Sequence, residues 1–162
     1  MTWSFVGGLA LWTLLEYLLH RFAFHELKLG SRMARDHLRH HAEVSWFTAW
    51  SVKLGFAAPI LAVLGLVGWP VLGLVNALAL GAGVVAGWLG YEWLHRRLHT
   101  HGPRGPYGRW ARRHHFHHHF RDPRANHGVT SPVWDIVFGT HAPAGQVVVP
   151  ARQAHHLPWL LG

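Results

Sequence analysis

Four spaced histidine boxes mark where this chain could do chemistry. They read HX4H at His20 and His25, HX2HH at His37, His40 and His41, HX3H at His95 and His99, and HX2HH again at His115, His118 and His119. Neutral imidazole is the commonest metal ligand in proteins. With HX4H counted as a single ligand the boxes supply nine, too many for one metal and suited to two. Ligands of nitrogen alone are compatible with iron, zinc, copper or nickel. Zinc favours closed four-coordinate sites or a single hydrolytic centre. Histidines gathered beside apolar sequence fit redox iron better. Iron can activate O₂ against an unactivated C–H bond, which acid–base side chains cannot do.

The elements that must carry these boxes follow from periodicity. His37, His40 and His41 fall at i, i+3 and i+4, one face of a helix, and His115, His118 and His119 repeat that geometry. His95 and His99 are i, i+4. His20 and His25 are five apart, about 140° around a regular helix, so they need a helix end or a distortion. Residues 1–15 carry no charged side chain, and the apolar character runs to Leu19, just enough for one membrane span. No basic segment precedes it, so a cleaved leader is not expected. Residues 54–91 form a second uncharged run of 38 residues. As one helix it would reach ~57 Å, far beyond a ~30 Å hydrocarbon core. Gly68, Trp69 and Pro70 predict a break there, giving a hairpin of about 47–67 and 70–94. Glycine and alanine in its second arm allow close helix approach in lipid.

Charge is segregated. All 15 Lys and Arg lie in 21–53 and 96–152, and the formal net charge is +8. This is a topological pattern; the aromatics are not interleaved with the basic residues as a nucleic-acid stacking surface requires, and nucleic acid is not an expected partner. The positive-inside bias places residues 20–46 and 95–162 in the cytoplasm, so all four boxes converge on one side. The expected fold is an all-α integral membrane protein, one domain over 1–162, with three or four membrane helices. Residues 109–120 read as a helix, 134–138 as a short helix or turn, and 142–162 as a loosely attached tail. No cysteine is present, which excludes disulfides and thiolate metal sites.

Glu16 and Glu92 precede His20 and His95 by four and three residues, on the same helical faces. Each is a candidate to hold an imidazole N–H and fix its tautomer. His114 and His117 are candidates for a similar supporting role. Lys53 is expected to snorkel to the interface, and Asn76 to make a helix-packing contact. His101, His127, His141, His155 and His156 lack box spacing and are assigned surface or hydrogen-bonding roles.

Taken together these residues resemble the fatty acid hydroxylase/sterol desaturase superfamily of membrane di-iron enzymes, closest to its fatty acid 2-hydroxylase branch. The matching stretches are Glu16-Tyr-Leu-Leu-His-Arg-Phe-Ala-Phe-His25, His37-X2-His-His41 and Gly90-Tyr-Glu-Trp-Leu-His-Arg-Arg-Leu-His99. His114-His-Phe-His-His-His-Phe120 follows, and residues 128–140 look like the family's GVTSPxWDxxFGT segment. The resemblance is strongest over 10–140. It implies a cytoplasmic helical cap over the membrane helices, a dimetal centre beneath it and a lipid tunnel. It also implies ligation by His20, His25, His37, His40, His41, His95, His99, His115, His118 and His119. The implied cofactors are two iron ions and O₂, with zinc possible on recombinant expression. The implied reaction is hydroxylation of an aliphatic C–H bond of a membrane lipid, fatty acyl or sterol-like. The 162 residues include no haem-binding domain, which predicts electrons from a separate ferredoxin- or cytochrome-type protein. Position 92 is Glu where the closest relatives tend to have Asp.

Bacterial β-carotene hydroxylases carry similar boxes but lack the GVTSPxWD segment, so carotenoid hydroxylation is the alternative, with lipid desaturation at the same site a further one. A metal transporter is disfavoured because 54–91 contains no histidine, acid or base to line an ion path. A hydrolytic zinc enzyme is disfavoured by the lack of an HEXXH-like box. The topology is testable by labelling single cysteines. Those placed at Ser4 and Trp69 react from the non-cytoplasmic side, and one at Gly105 from the cytoplasm. Trp69 and Gly105 reacting from the same side would break the hairpin reading.

Overall fold

The computed structural model describes residues 1–27 and 30–160, and those residues contain helices and loops but no strand. Helix α1 (Thr2–Leu18) continues without a break into a π-helical segment, Leu19–Glu26. Then come α2 (Arg32–Ala42), α3 (Trp50–Leu72), α4 (Leu74–Thr100) and α5 (Gly105–Phe120). Two short helices, α6 (Val133–Val137) and α7 (Ala151–Ala154), close the chain with a 3₁₀ turn at Pro158–Leu160. Three helical stretches are long and apolar enough to cross a membrane: Thr2–Glu26, Trp50–Leu72 and Leu74–Thr100. Among the residues of α3 only Lys53 is buried, and Val63, Leu66, Val67 and Val71 are exposed. Such a surface is stable in lipid and costly in water.

The hairpin exists, but its break lies at Gly73 rather than at Gly68–Pro70. Pro70 is accommodated inside the last turn of α3. The chain reverses at Gly73, whose φ of +75° is a conformation that glycine adopts without a Cβ clash. The first arm therefore spans Trp50–Leu72 rather than 47–67, and the second runs from Leu74 to Thr100 rather than 70–94.

Helix α1 packs parallel to α4. Ser4 Oγ donates to Asn76 Oδ1 at 3.0 Å near the start of both helices, the packing contact expected for Asn76. Further along, Gly8 meets Gly83 so closely that a Cβ on Gly8 would lie 2.9 Å from Gly83 Cα, and Trp12 covers Gly87. Small residues four apart on α4 thus create the groove that seats α1. Since α3 starts, and α1 and α4 finish, at the same end of this bundle, the histidines of α2, which precedes α3, meet those at the ends of α1 and α4 there.

The cap is made by α2, α5 and the segments after it. Ser31 starts α2 by accepting Ala34 N–H at 3.0 Å. Residues 142–160 form no loose tail. Leu157 is fully buried with Val44 and Phe116, Gln153 Nε2 donates to Ala42 O at 2.5 Å, and Trp159 Nε1 donates to His99 O at 2.9 Å. The sequence masks this because each anchor is a single residue among prolines and small residues. Leu157→Ala is expected to lower the unfolding free energy by about 2–5 kcal/mol. A loss below ~0.5 kcal/mol, the level of a neutral surface change, would show that the segment contributes no core.

Candidate metal centre

The ten box histidines are brought together as two groups of five. His20, His25, His37, His41 and His118 form one, and His40, His95, His99, His115 and His119 the other. Within each group one ring nitrogen per residue lies within 4.8 Å of all the others. The division follows a rule. Each HX2HH box sends its i, i+4 pair to one group and its middle histidine to the other: His37 and His41 against His40 in α2, and His115 and His119 against His118 in α5. A membrane helix end completes each group, His20 with His25 for the first and His95 with His99 for the second.

The π-helical segment makes the five-residue spacing of His20 and His25 work. Its i→i+5 hydrogen bonding widens the turn, so residues that would be about 140° apart on an α-helix come onto one face. The two rings end 5.1 Å apart, the same separation as the i, i+4 pair His95 and His99.

The nitrogens face one another. His25 Nε2 is 2.9 Å from His37 Nε2 and 3.1 Å from His118 Nε2. His40 Nε2 is 3.1 Å from His95 Nε2 and 3.2 Å from His99 Nε2, and His99 Nε2 is 2.9 Å from His115 Nε2. Three of the rings are oriented by backbone carbonyls that accept from Nδ1: His127 O for His20 at 2.5 Å, Trp46 O for His40 at 2.7 Å and Ala125 O for His118 at 2.8 Å. An Nδ1–H so held leaves the Nε2 lone pair pointing inward. Meanwhile Nε2 of His20, His41 and His119 is buried without a hydrogen-bond partner. Buried polar atoms are rarely left so. Inward lone pairs and orphaned ring nitrogens together fit two cations held by imidazole.

Burial keeps the cap imidazoles neutral, as metal ligation requires. It lowers His40 to about 4. It holds His37, His41, His115, His118 and His119 well below the usual histidine range, aided by the neighbouring histidines.

The four expected supporting residues have partners of several kinds. Glu16 touches no imidazole; it is buried and accepts from Val129 N, from Thr130 N at 2.9 Å and from Thr130 Oγ1 at 2.6 Å. Glu92 forms a buried ion pair with Lys53 and accepts from Trp88 Nε1 at 3.3 Å. Lys53 therefore does not reach out to the interface. His114 stacks on Trp110 and lies 3.4 Å from Asp135, whereas His117 is buried with Nδ1 unpartnered. Sequence reasoning missed Asp135; His127 takes the hydrogen-bonding role expected of it, its Nε2 bonding to Arg124 O at 3.2 Å. Asp135 is fully buried and accepts from His127 N, Gly128 N and Thr140 Oγ1, each at 2.8 Å. Burial pushes its carboxyl up, but the donated hydrogen bonds outweigh that and leave it below the usual carboxylate range. His127 places its ring 5.1 Å from that of His118 and 5.4 Å from that of His20. The Asp of the GVTSPxWD segment was the available signal, but its spacing from the boxes says nothing about which backbone it holds.

An apolar cleft between α1, α3 and α4 leads to this centre. Leu15, Phe56, Ile60 and Val84 line it, and His20 and the Lys53–Glu92 pair stand at its polar end. A second, smaller pocket shares Lys53 and Glu92 and is lined by His37, His40 and His95.

A sequence model of the fatty acid hydroxylase family matches residues 5–140. The chain is 34% identical over 137 residues to dihydroceramide fatty acyl 2-hydroxylase FAH2 of Arabidopsis thaliana, covering 82% of this chain and 58% of that protein. It is 32% identical over 147 residues to the fatty acid 2-hydroxylase of Macaca fascicularis, covering 86% and 39% respectively. A solved structure described as full-length scs7p, with only the hydroxylase domain visible, superposes with a TM-score of 0.71 at 27% identity, covering 91% of this chain and 58% of that one. The chain thus spans between 39% and 58% of the length of these relatives.

The lowered histidines set a pH dependence for the metal-free protein. Where the folded pKa is depressed, the unfolded chain binds more protons, so stability rises with pH. The contribution is present above the ordinary value of 6.5 and is lost as pH falls toward about 4, the value for His40. Chemical denaturation of metal-free protein is expected to show a falling midpoint over that window. A flat profile would mean that these imidazoles are solvated.

Proposed function

We propose, from the premise that this chain belongs to the fatty acid hydroxylase family, that it hydroxylates an aliphatic C–H bond of a membrane lipid. The observation that carries this reading is the pair of five-histidine groups at the end of an apolar cleft. His20, His25, His37, His41 and His118 would hold one iron ion, and His40, His95, His99, His115 and His119 the other. Bound there, iron would supply the activation of O₂ that no side chain of the chain can perform.

The protein's own part is binding, orientation and exclusion of water. The cleft residues on α1, α3 and α4 take an acyl chain laterally from the bilayer, since their surface is apolar and the helices are lipid-exposed. The Lys53–Glu92 pair offers a cation and an anion at the polar end of the cleft, where the first carbons of an acyl chain and their polar group would lie. That placement supports attack close to the head of the chain, in keeping with the names of the 2-hydroxylase relatives. The packed cap keeps bulk water from the reacting carbon. Imidazole ligands are neutral, so the ten histidines would hold the two cations without adding negative charge of their own. The histidine end of the bundle faces the cytoplasm by the positive-inside bias, where a separate ferredoxin- or cytochrome-type protein would deliver electrons.

His40→Ala, His99→Ala and His118→Ala are each expected to lower turnover by more than the ~10–100-fold seen when an outer partner of a metal ligand is lost. His155→Ala and His156→Ala leave it near wild type, because both lie in the cap periphery, the His156 ring hydrogen-bonded to Ser45 Oγ at 3.2 Å. Equal effects across the five would sink the ligand assignment. Lipid extracts from cells supplied with ¹⁸O₂ should carry label in the new hydroxyl. Label from water would favour hydrolysis, and a new double bond without inserted oxygen would change hydroxylase to desaturase.

A further inference from the structure

Two buried carboxylates, Glu16 and Asp135, lie outside both histidine groups, and both are directed at the same short loop. Glu16 reaches it from membrane helix α1 and takes the N–H groups of Val129 and Thr130 together with the Thr130 hydroxyl. Asp135 reaches it from α6 and takes the N–H groups of His127 and Gly128. Gly128 leaves room for this: a Cβ there would lie 3.0 Å from Asp135 Oδ2 and against the Ser131 carbonyl. Asn126 adds a left-handed turn at φ +59° and bonds to Ala142 N–H at 2.8 Å. The backbone N–H groups of residues 127–130 are thus all bonded to the two carboxylates, while the carbonyls of Ala125 and His127 face histidines.

Those carbonyls are the ones that orient histidines. Ala125 O accepts from His118 Nδ1, and His127 O accepts from His20 Nδ1. Both histidines belong to the same group of five. The other group takes its one such bond, His40 to Trp46 O, from the connection between α2 and α3, which neither carboxylate touches. The two groups are alike in ligand type and number but differ in how they are supported.

We infer that Glu16 and Asp135 are positioning residues for the first group, the 3.4 Å contact of Asp135 with His114 reaching a histidine of neither group. They hold the loop at 125–130 rigid, and the loop fixes His20 and His118 with Nε2 inward. Metal retention by His20, His25, His37, His41 and His118 depends on this clamp, and retention by the other five does not. This rests on the reading that each group holds one ion.

The test is anaerobic Fe(II) titration of the purified full chain with metal equivalents counted, using Glu16→Gln and Asp135→Asn. Both changes keep shape but remove the charge that accepts several N–H groups at once. Wild type is expected to bind two equivalents. Each variant is expected to keep one equivalent at wild-type affinity and to bind the second about 10–100-fold more weakly. Combined with His99→Ala, which damages the other group, each should leave no equivalent bound at wild-type affinity. Equal weakening of both equivalents, or none, would overturn the clamp. So would loss of the helical circular dichroism signal in both variants, since the carboxylates would then hold the fold rather than one site. A wild-type chain binding a single equivalent would overturn the two-ion reading and the clamp with it.

Discussion

Ten largely buried imidazoles with ring nitrogens turned toward one another are the constraint on which the rest of the structure depends. Nitrogen contacts of 2.9–3.2 Å between neighbouring Nε2 atoms cannot all be donor–acceptor pairs, because a neutral imidazole has one proton to give. Protonating the rings would relieve the pairing but charge a buried cluster, which desolvation forbids. A shared cation at each centre resolves both demands. The helices, carbonyls and loops around the site serve to present neutral nitrogens at that geometry and to keep them neutral.

The partition of the ten histidines explains why the cap and the membrane bundle form one unit. Helices α2 and α5 each contribute to both groups, whereas α1 feeds only the first and α4 only the second. Separating α1 from α4 would pull the groups apart, and close contact of Gly8 with Gly83 prevents it. Small residues deep in the membrane thereby set the distance between the groups. The π-helical turn at Leu19–Glu26 plays the matching role at the end of α1. It costs regular hydrogen bonding but converts a five-residue spacing into a paired face.

Much of this was legible in the sequence, because spacing encodes helical faces. The boxes, the hairpin and the short helix at 133–137 required only periodicity and apolar run length. The distortion at His20 and His25 was also implied, although not its form. What could not be read were contacts carried by backbone. Carbonyls of Trp46, Ala125 and His127 orient the rings, and a carbonyl has no residue identity to recognise. Glu16 and Glu92 looked like imidazole partners because sequence separation placed them on the right faces. Glu92 instead met Lys53 across the hairpin, and Glu16 met a loop more than a hundred residues away. Helix register predicts neighbours within an element, not competition from another. Pro70 misled for a different reason: it forfeits one N–H bond to the preceding turn, yet α3 runs two residues past it, and the glycine three residues on decided the turn.

The two carboxylates expected to sit beside the ligands acquire a coherent role once the cleft is included. Glu92 neutralises Lys53 at the boundary between apolar cleft and histidine pocket, so an ammonium and a carboxylate are held buried without net charge. A neutral pair of that kind leaves a donor and an acceptor near each other where an acyl chain would end, yet adds no net field to the ligands. Glu16 lies on the same cleft wall but turns its charge away into the loop at 129–130. Had it pointed into the cleft, an unpaired carboxylate would face hydrocarbon at a cost of several kcal/mol. The loop donors remove that cost and gain rigidity from it. The same side chain thus keeps its charge out of the cleft and bonds the loop whose His127 carbonyl holds His20. Those two demands explain why a carboxylate stands in a membrane helix one turn before a histidine without touching it.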